Sequence, residues 1–213
     1  YIAFNKSVAA EAKERFPANV DCRTTHSLAY GAVGRKFSDK LGNVQVYVVT
    51  QAFKCNARRA KAALETVSSW MCSTDDKIAI DHVNLDEVQD PIEAAAVVDL
   101  ARNIWAYMQD PKSDVKMPHD GYLKLYAMSR PALRYDIILL DEAQDTNAAQ
   151  WEIIGSLTGD FYSGMGVKPD KIRTLFSVGD FKQAIYGFQG TAPERYEAAG
   201  TDFAKRIDDA GAE

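Results

Sequence analysis

The chain has 213 residues, 46% of them hydrophobic and 26% charged, and a net charge of −5. This composition excludes disordered and collagen-like classes, and no apolar run approaches the ~20 residues that span a bilayer, so a soluble globular chain is expected. Cys22, Cys55 and Cys72 are odd in number and lack CxxC spacing, which argues against a disulfide framework or a zinc ribbon and for reduced thiols in a cytosolic-type protein.

"YIAF" (1–4) reads as a short apolar strand. The chain opens there without Met and without a signal-peptide pattern, so an upstream stretch is expected. "SVAAEAKERF" (7–16) has helical spacing, with Ser7 as a possible cap and Pro17 as a stop. "VDCRTT" (20–25) reads as a second strand, and "HSLAYGAVGRKF" (26–37) as a helix that loosens at Gly31 and Gly34. Residues 1–65 carry 11 Lys/Arg against 5 Asp/Glu, while residues 66–213 carry 14 against 25. The basic first third fits either contact with phosphates or an ordinary solvated helix face.

Residues 38–118 read as a separate helical layer. "AFKCNARRAKAALETVSSWM" (52–71) is one long helix by spacing. Asp90-Pro91-Ile92-Glu93 has the form of a capping box with Pro at the first helical position, opening a helix over 92–108. "DPKSDVKMPHD" (110–120) is loop-like, and "GYLKLYAMS" (121–129) is a short helix. Trp70, Trp105 and Trp151 are read as helix-packing residues, and His82 and His119 have no partner at metal-ligand spacing.

"DIILL" (136–140) and "TLFSV" (174–178) are continuous apolar runs, the pattern of strands buried on both faces of a parallel sheet. The helix "NAAQWEIIGSL" (147–157) separates them, giving a βαβ core. Each run ends in acid: Asp141-Glu142 after the first and Asp180 after the second. Ligands of open α/β sheets bind outside the carboxyl ends of strands. One or two carboxylates there suffice for Mg²⁺, and a neighbouring acid can orient or deprotonate an attacking water. Acids after strands also serve as helix caps, the competing reading. Past the second run, Gln183 could contact a terminal phosphate or the water. Tyr186 and Phe188 could stack on unpaired bases, although Tyr186 fits a core residue equally well.

"IILLDEAQDTN" followed by "VGDFKQAIYGFQG" resembles the Walker B and following coupling motifs of UvrD/Rep-type superfamily 1 DNA helicases. "AFNKSVAAEAKERF" and "CRTTHSLAY" resemble two earlier motifs of that family, in family order. The first part is most similar to the F-box DNA helicase branch, and the region of the last motif to AddA/RecB-type helicase–nucleases. The resemblance implies an α/β fold: a RecA-like parallel sheet forming an incomplete first motor domain (1–37 and 119–213), with an inserted helical subdomain (38–118). It implies ATP and Mg²⁺ as cofactors, single-stranded DNA as partner, 3′→5′ polarity, and a nucleoid or nuclear location.

By the same resemblance, Asp141 would hold Mg²⁺ through water and Glu142 would be the catalytic carboxylate. Gln144 and Gln183 would link the nucleotide to the DNA surface, with Gln183 near the γ-phosphate and Asp180 in the nucleotide site. Phe4, Asn5, Thr25 and His26 would line the single-strand track, and Tyr186 and Phe188 would lie near the bases. Phe4, Phe181, Phe188 and Gln189 depart from residues frequent at those motif positions. Read alone, His26 fits a helix-start histidine and Phe4 a core residue.

No GxxxxGK[ST] cradle occurs in the 213 residues, and "GAVGRKF" (31–37) fails in spacing. The cradle is therefore expected upstream and a second motor domain downstream. The cradle strand is expected beside the "DIILL" strand, so that its absence leaves an open edge and a marginal fold. The 213-residue chain is expected to lack ATPase activity by itself. Two alternatives remain: a non-catalytic module that binds single strands or a partner, and a metal nuclease built on Asp141, Glu142 and Asp180.

Overall fold

The computed structural model describes residues 1–132, 135–159, 161, 173–180, 182 and 193–209. In chain order the helices and strands are α1 (Lys6–Arg15), α2 (Thr25–Ala32), α3 (Val46–Phe53), α4 (Ala57–Met71), α5 (Pro91–Gln109), α6 (His119–Met128), β1 (Ile137–Leu140), α7 (Ala148–Thr158), β2 (Thr174–Ser177) and α8 (Pro193–Asp209). The chain divides into two compact units, Tyr1–Leu28 with Ser129–Glu213, and Ala29–Met128.

The first unit is organised by parallel pairing. β1 pairs with β2 in register, Ile137 opposite Thr174 through Leu140 opposite Ser177. On its other edge β1 meets Ile2, which in turn pairs with Arg23. Ile2 N donates to Leu139 O at 2.7 Å, and Asp141 N donates back to Ile2 O at 3.0 Å. Both edges of β1 are therefore hydrogen-bonded within this chain. The expectation that a cradle strand lies beside β1 is overturned, and so is the open edge there.

"YIAF" and "VDCRTT" contribute single bridge positions, Ile2 and Arg23, rather than full strands. The reason is local capping immediately downstream. Asn5 accepts from Val8 N at 2.9 Å and starts α1, so the cap is Asn5 and not Ser7. Thr24 and Ser27 exchange side-chain bonds with each other's backbone N–H, both at 3.1 Å, and start α2. Such caps satisfy otherwise orphan donors, and here they pull the chain out of the sheet after one or two residues.

The two apolar runs alternate in burial instead of being covered on both faces. Ile138 and Leu140 are 2% and 3% exposed, whereas Ile137 and Phe176 are 57% and 58% exposed. α7 is capped by Asn147 in a capping box with Gln150 and buries Ile153, Ile154 and Leu157. Trp151 stacks on Tyr196 of α8, centroids 6.3 Å apart.

The second unit is helical. α4 and α5 form its centre, burying Ala63, Val67, Trp70, Val97, Ala101 and Ile104. Trp70 and Trp105 meet edge to face at 4.9 Å, as packing residues. The single helix expected over 52–71 is two. Lys54 adopts the left-handed region (φ 50°) after α3, and Asn56 caps α4 by accepting from Arg59 N at 2.8 Å. Asp90 caps α5 through Ile92 N at 3.0 Å, but Glu93 does not close the box. It pairs with Arg59 instead, Nε to Oε1 at 2.7 Å, because a charge-assisted bond competes well with one backbone donor. Lys40, only 7% exposed, donates to Tyr107 O at 3.0 Å and also to Asp110 O, satisfying carbonyls at the end of α5. Burial holds its ammonium below the usual lysine range.

Candidate functional site

The acids after β1 sit where the pairing predicts, at the carboxyl end of a strand flanked by two parallel neighbours. Asp141 accepts at both oxygens. Glu142 N donates to Oδ1 at 3.1 Å, and the Tyr1 hydroxyl donates to Oδ2 in a short bond. Burial, followed by the bond to Asp141, pushes the Tyr1 phenol well above its ordinary range. The Tyr1 ring rests on Phe16, centroids 5.3 Å apart.

Glu142 occupies the left-handed region, φ 50° and ψ 47°. A non-glycine residue held there stores roughly 1–3 kcal/mol of strain, an arrangement concentrated at functional sites. The turn leaves Glu142 exposed to solvent directly after the strand. Its Oε2 accepts from Gln144 Nε2 at 2.7 Å.

Gln144 is 2% exposed and connects the two strand ends. While Nε2 holds Glu142, Oε1 accepts from Asp180 N at 3.1 Å. Ala143 N donates to Val178 O at 2.9 Å, which pins the same two loops through the backbone. The approach is close enough that a Cβ on Gly179 would stand 2.5 Å from Gln144 Oε1. The Asp180 carboxylate accepts from Lys182 N at 3.0 Å, so it faces its own following backbone. Asp141, Glu142, Gln144 and the Asp180 backbone are thus brought together.

The residues expected on the strand track have mixed placements. Asn5 is exposed and serves as the α1 cap, accepting from Val8 N and from Ser7 Oγ. Thr25 is 4% exposed, and its hydroxyl accepts from Gln150 Nε2 at 2.8 Å. A buried, engaged hydroxyl of this kind fixes the first turn of α2, which belongs to the first unit, against α7. Phe4 and His26 are half-buried. Gln183, Tyr186 and Phe188, like Phe181 and Gln189, lie outside the described residues.

Three residues of this neighbourhood have roles beyond those the motifs imply. Gln150 is legible as the last member of an Asn-x-x-Gln capping pattern. Gly179 lies inside the coupling-motif stretch, but its close approach to Gln144, like the reach of Tyr1 to Asp141, depends on segments distant in sequence. No group of three or more His, Cys, Asp or Glu among the described residues could hold a metal ion. The donors present, one or two carboxylates at a strand end, suit a hard cation that keeps most of its waters, as Mg²⁺ does. They do not suit a nuclease centre that needs the Asp180 carboxylate as a third ligand.

Residues 36–204 match the UvrD/REP helicase N-terminal domain. The chain belongs to this family. Among similar proteins of known name, F-box DNA helicase 1 of Gallus gallus is 33% identical over 218 residues, covering 92% of this chain and 20% of the relative. F-box DNA helicase protein 1 of Schizosaccharomyces pombe is 28% identical over 216 residues, covering 89% and 23%. The RecB subunit of the RecBCD enzyme of Chlamydia muridarum is 31% identical over 80 residues, 38% of this chain and 7% of the relative. This UvrD/REP-family chain therefore spans about a fifth of the length of the two F-box helicases, and it shares a shorter stretch with RecB. No helix among its described residues is long and apolar enough to cross a membrane.

Proposed function

We propose that this chain supplies the hydrolytic half of an ATP site in a DNA helicase that moves 3′→5′ on single-stranded DNA. Residues 1–37 and 119–213, which include all of the first unit, then form a RecA-like motor domain, and residues 38–118 are a helical subdomain inserted into it. The observation that carries the reading is the Gln144 bridge. It ties the exposed carboxylate of Glu142 to the strand end that precedes the coupling motif.

In this reading Asp141 would hold Mg²⁺ through water, and the ion would supply charge neutralisation on the phosphates when bound. Glu142 takes a proton from the attacking water as the water oxygen bonds to the γ-phosphorus and the bond to the β–γ bridging oxygen breaks. Gln144 and Gln183 pass the state of that site to the DNA surface, with Asp180 at the nucleotide edge. Phe4, Asn5, His26, Tyr186 and Phe188 face the single strand, and Thr25 supports that surface from within. The location that follows is wherever the DNA lies, nucleoid or nucleus.

The 213 residues contain no GxxxxGK[ST], so hydrolysis needs a phosphate cradle that they do not supply. By itself the chain is expected to show no ATPase activity, with or without single-stranded DNA. Clear DNA-stimulated hydrolysis by the chain alone would contradict this. Joined to a phosphate cradle, it should hydrolyse ATP on adding single-stranded DNA, and Glu142→Gln should abolish hydrolysis while sparing ATP and DNA binding. Full turnover in that variant would sink the assignment of Glu142. The missing motif also favours a second reading, a non-catalytic module that binds single strands or a partner. Binding of a fluorescent single strand with no ATP hydrolysis by the joined protein would favour that reading.

A further inference from the structure

Among the described residues, the hydroxyl of Tyr1 is the side-chain group that reaches the acidic pair from farthest along the chain, across 140 positions. Its backbone is fixed by the pairing on either side: Arg23 N donates to Tyr1 O at 2.9 Å, and Ile2 N to Leu139 O at 2.7 Å. Its ring is fixed by Phe16 at 5.3 Å. The phenol therefore approaches Asp141 from a rigid base. Asp141, by contrast, sits one residue past the end of β1, and its other oxygen is held by the adjacent Glu142 N–H at 3.1 Å.

We infer that Tyr1 is a positioning residue for the cation site: its hydroxyl sets the orientation of the Asp141 carboxylate that receives Mg²⁺. The inference rests on the proposed role of Asp141. A carboxylate has about four acceptor positions. The Tyr1 and Glu142 bonds use two and leave two for waters of a hydrated cation. Without the hydroxyl, Asp141 is held only by the Glu142 N–H at one oxygen, and binding a cation must then order the other. Groups that orient metal-binding side chains in this way typically change affinity by about 10- to 100-fold.

The test uses the intact 213-residue chain and Mn²⁺ alone as the probe. Mn²⁺ is titrated into the ¹⁵N-labelled protein, and broadening of the Asp141 and Glu142 amide signals is followed. Tyr1→Phe keeps the ring on Phe16 and removes only the hydroxyl. It should move the midpoint of broadening to about tenfold higher Mn²⁺, with the remaining amide spectrum and the melting temperature unchanged. Asp141→Asn should abolish local broadening. If Tyr1→Phe leaves the midpoint unchanged or lowers it while Asp141→Asn abolishes broadening, Tyr1 has no positioning role and the cation reading stands. If Asp141→Asn also leaves broadening intact, the cation reading itself fails. A Tyr1→Phe chain whose amide spectrum collapses overturns the inference in favour of a purely structural role.

Discussion

Gly179→Ala places a methyl group into the narrowest part of the site. The new Cβ would lie 2.5 Å from Gln144 Oε1 and 3.1 Å from the backbone nitrogens of Ala143 and Gln144. Ala143 N cannot withdraw without breaking its 2.9 Å bond to Val178 O. The displacement therefore falls on the Gln144 side chain, which is 2% exposed and has no route into solvent. Moving it breaks the bond from Asp180 N and loosens the bond to Glu142. The first loss costs about 1 kcal/mol; the second, to an exposed carboxylate, is discounted to about 1 as well. With residual crowding the total is about 2–3 kcal/mol. Hydrogen exchange of the β1 and β2 amides reads this directly, and opening should become about 30- to 150-fold more frequent. In a Gln144→Ala background the same substitution should cost clearly less, because the clashing atom is gone. A cost under about 0.5 kcal/mol, or strict additivity of the two substitutions, would refute the bridge.

Asn5→Ala should destabilise the first unit by about 1 kcal/mol through loss of the α1 cap, measured by chemical denaturation. Asn5→Asp, which keeps a capping oxygen, should leave stability intact and so separates capping from any effect on single-strand binding. Burial pushes the Cys72 thiol up to about 11 from the ordinary 9.0, so near pH 8 its thiolate fraction falls by roughly a hundredfold. Cys72 should accordingly be the last of the three cysteines alkylated by iodoacetamide, as mass spectrometry would show. The Arg59 guanidinium holds the Glu93 carboxyl below the usual carboxylate range. That pair therefore stabilises the second unit above the ordinary carboxylate pKa and loses its effect as pH falls through the lowered one. Between about pH 5 and pH 3, Glu93→Gln should flatten the fall of melting temperature with acid relative to the parent chain; an unchanged slope would contradict the pairing.

Much of the site is legible in the sequence because it is carried by local pattern. An apolar run followed by Asp141-Glu142 marks a strand end whatever surrounds it, and the structure puts those acids at such an end. Asn147 and Gln150 form a capping box readable within four residues. Local pattern misleads where two short-range signals compete. Asn56 cannot be told from an ordinary helix residue inside 52–71, yet its side chain starts α4 after Lys54 turns left-handed. Likewise Glu93 stands at a capping-box spacing, but a longer-range partner, Arg59, takes its carboxylate.

By itself the sequence determined the family and the place of the acids: the strand-end acids and the order of the motifs are properties of residue type and spacing along the chain. Only the tertiary structure decided how those acids are held. Pairing brings Tyr1 to Asp141 and Asp180 to Gln144 across 140 and 36 positions of sequence. It also closes both edges of β1 and buries the hydroxyl of Thr25. The physical reason is that a hydrogen bond constrains atoms within about 3 Å of one another, and no periodicity along the chain records which distant segments will lie that close.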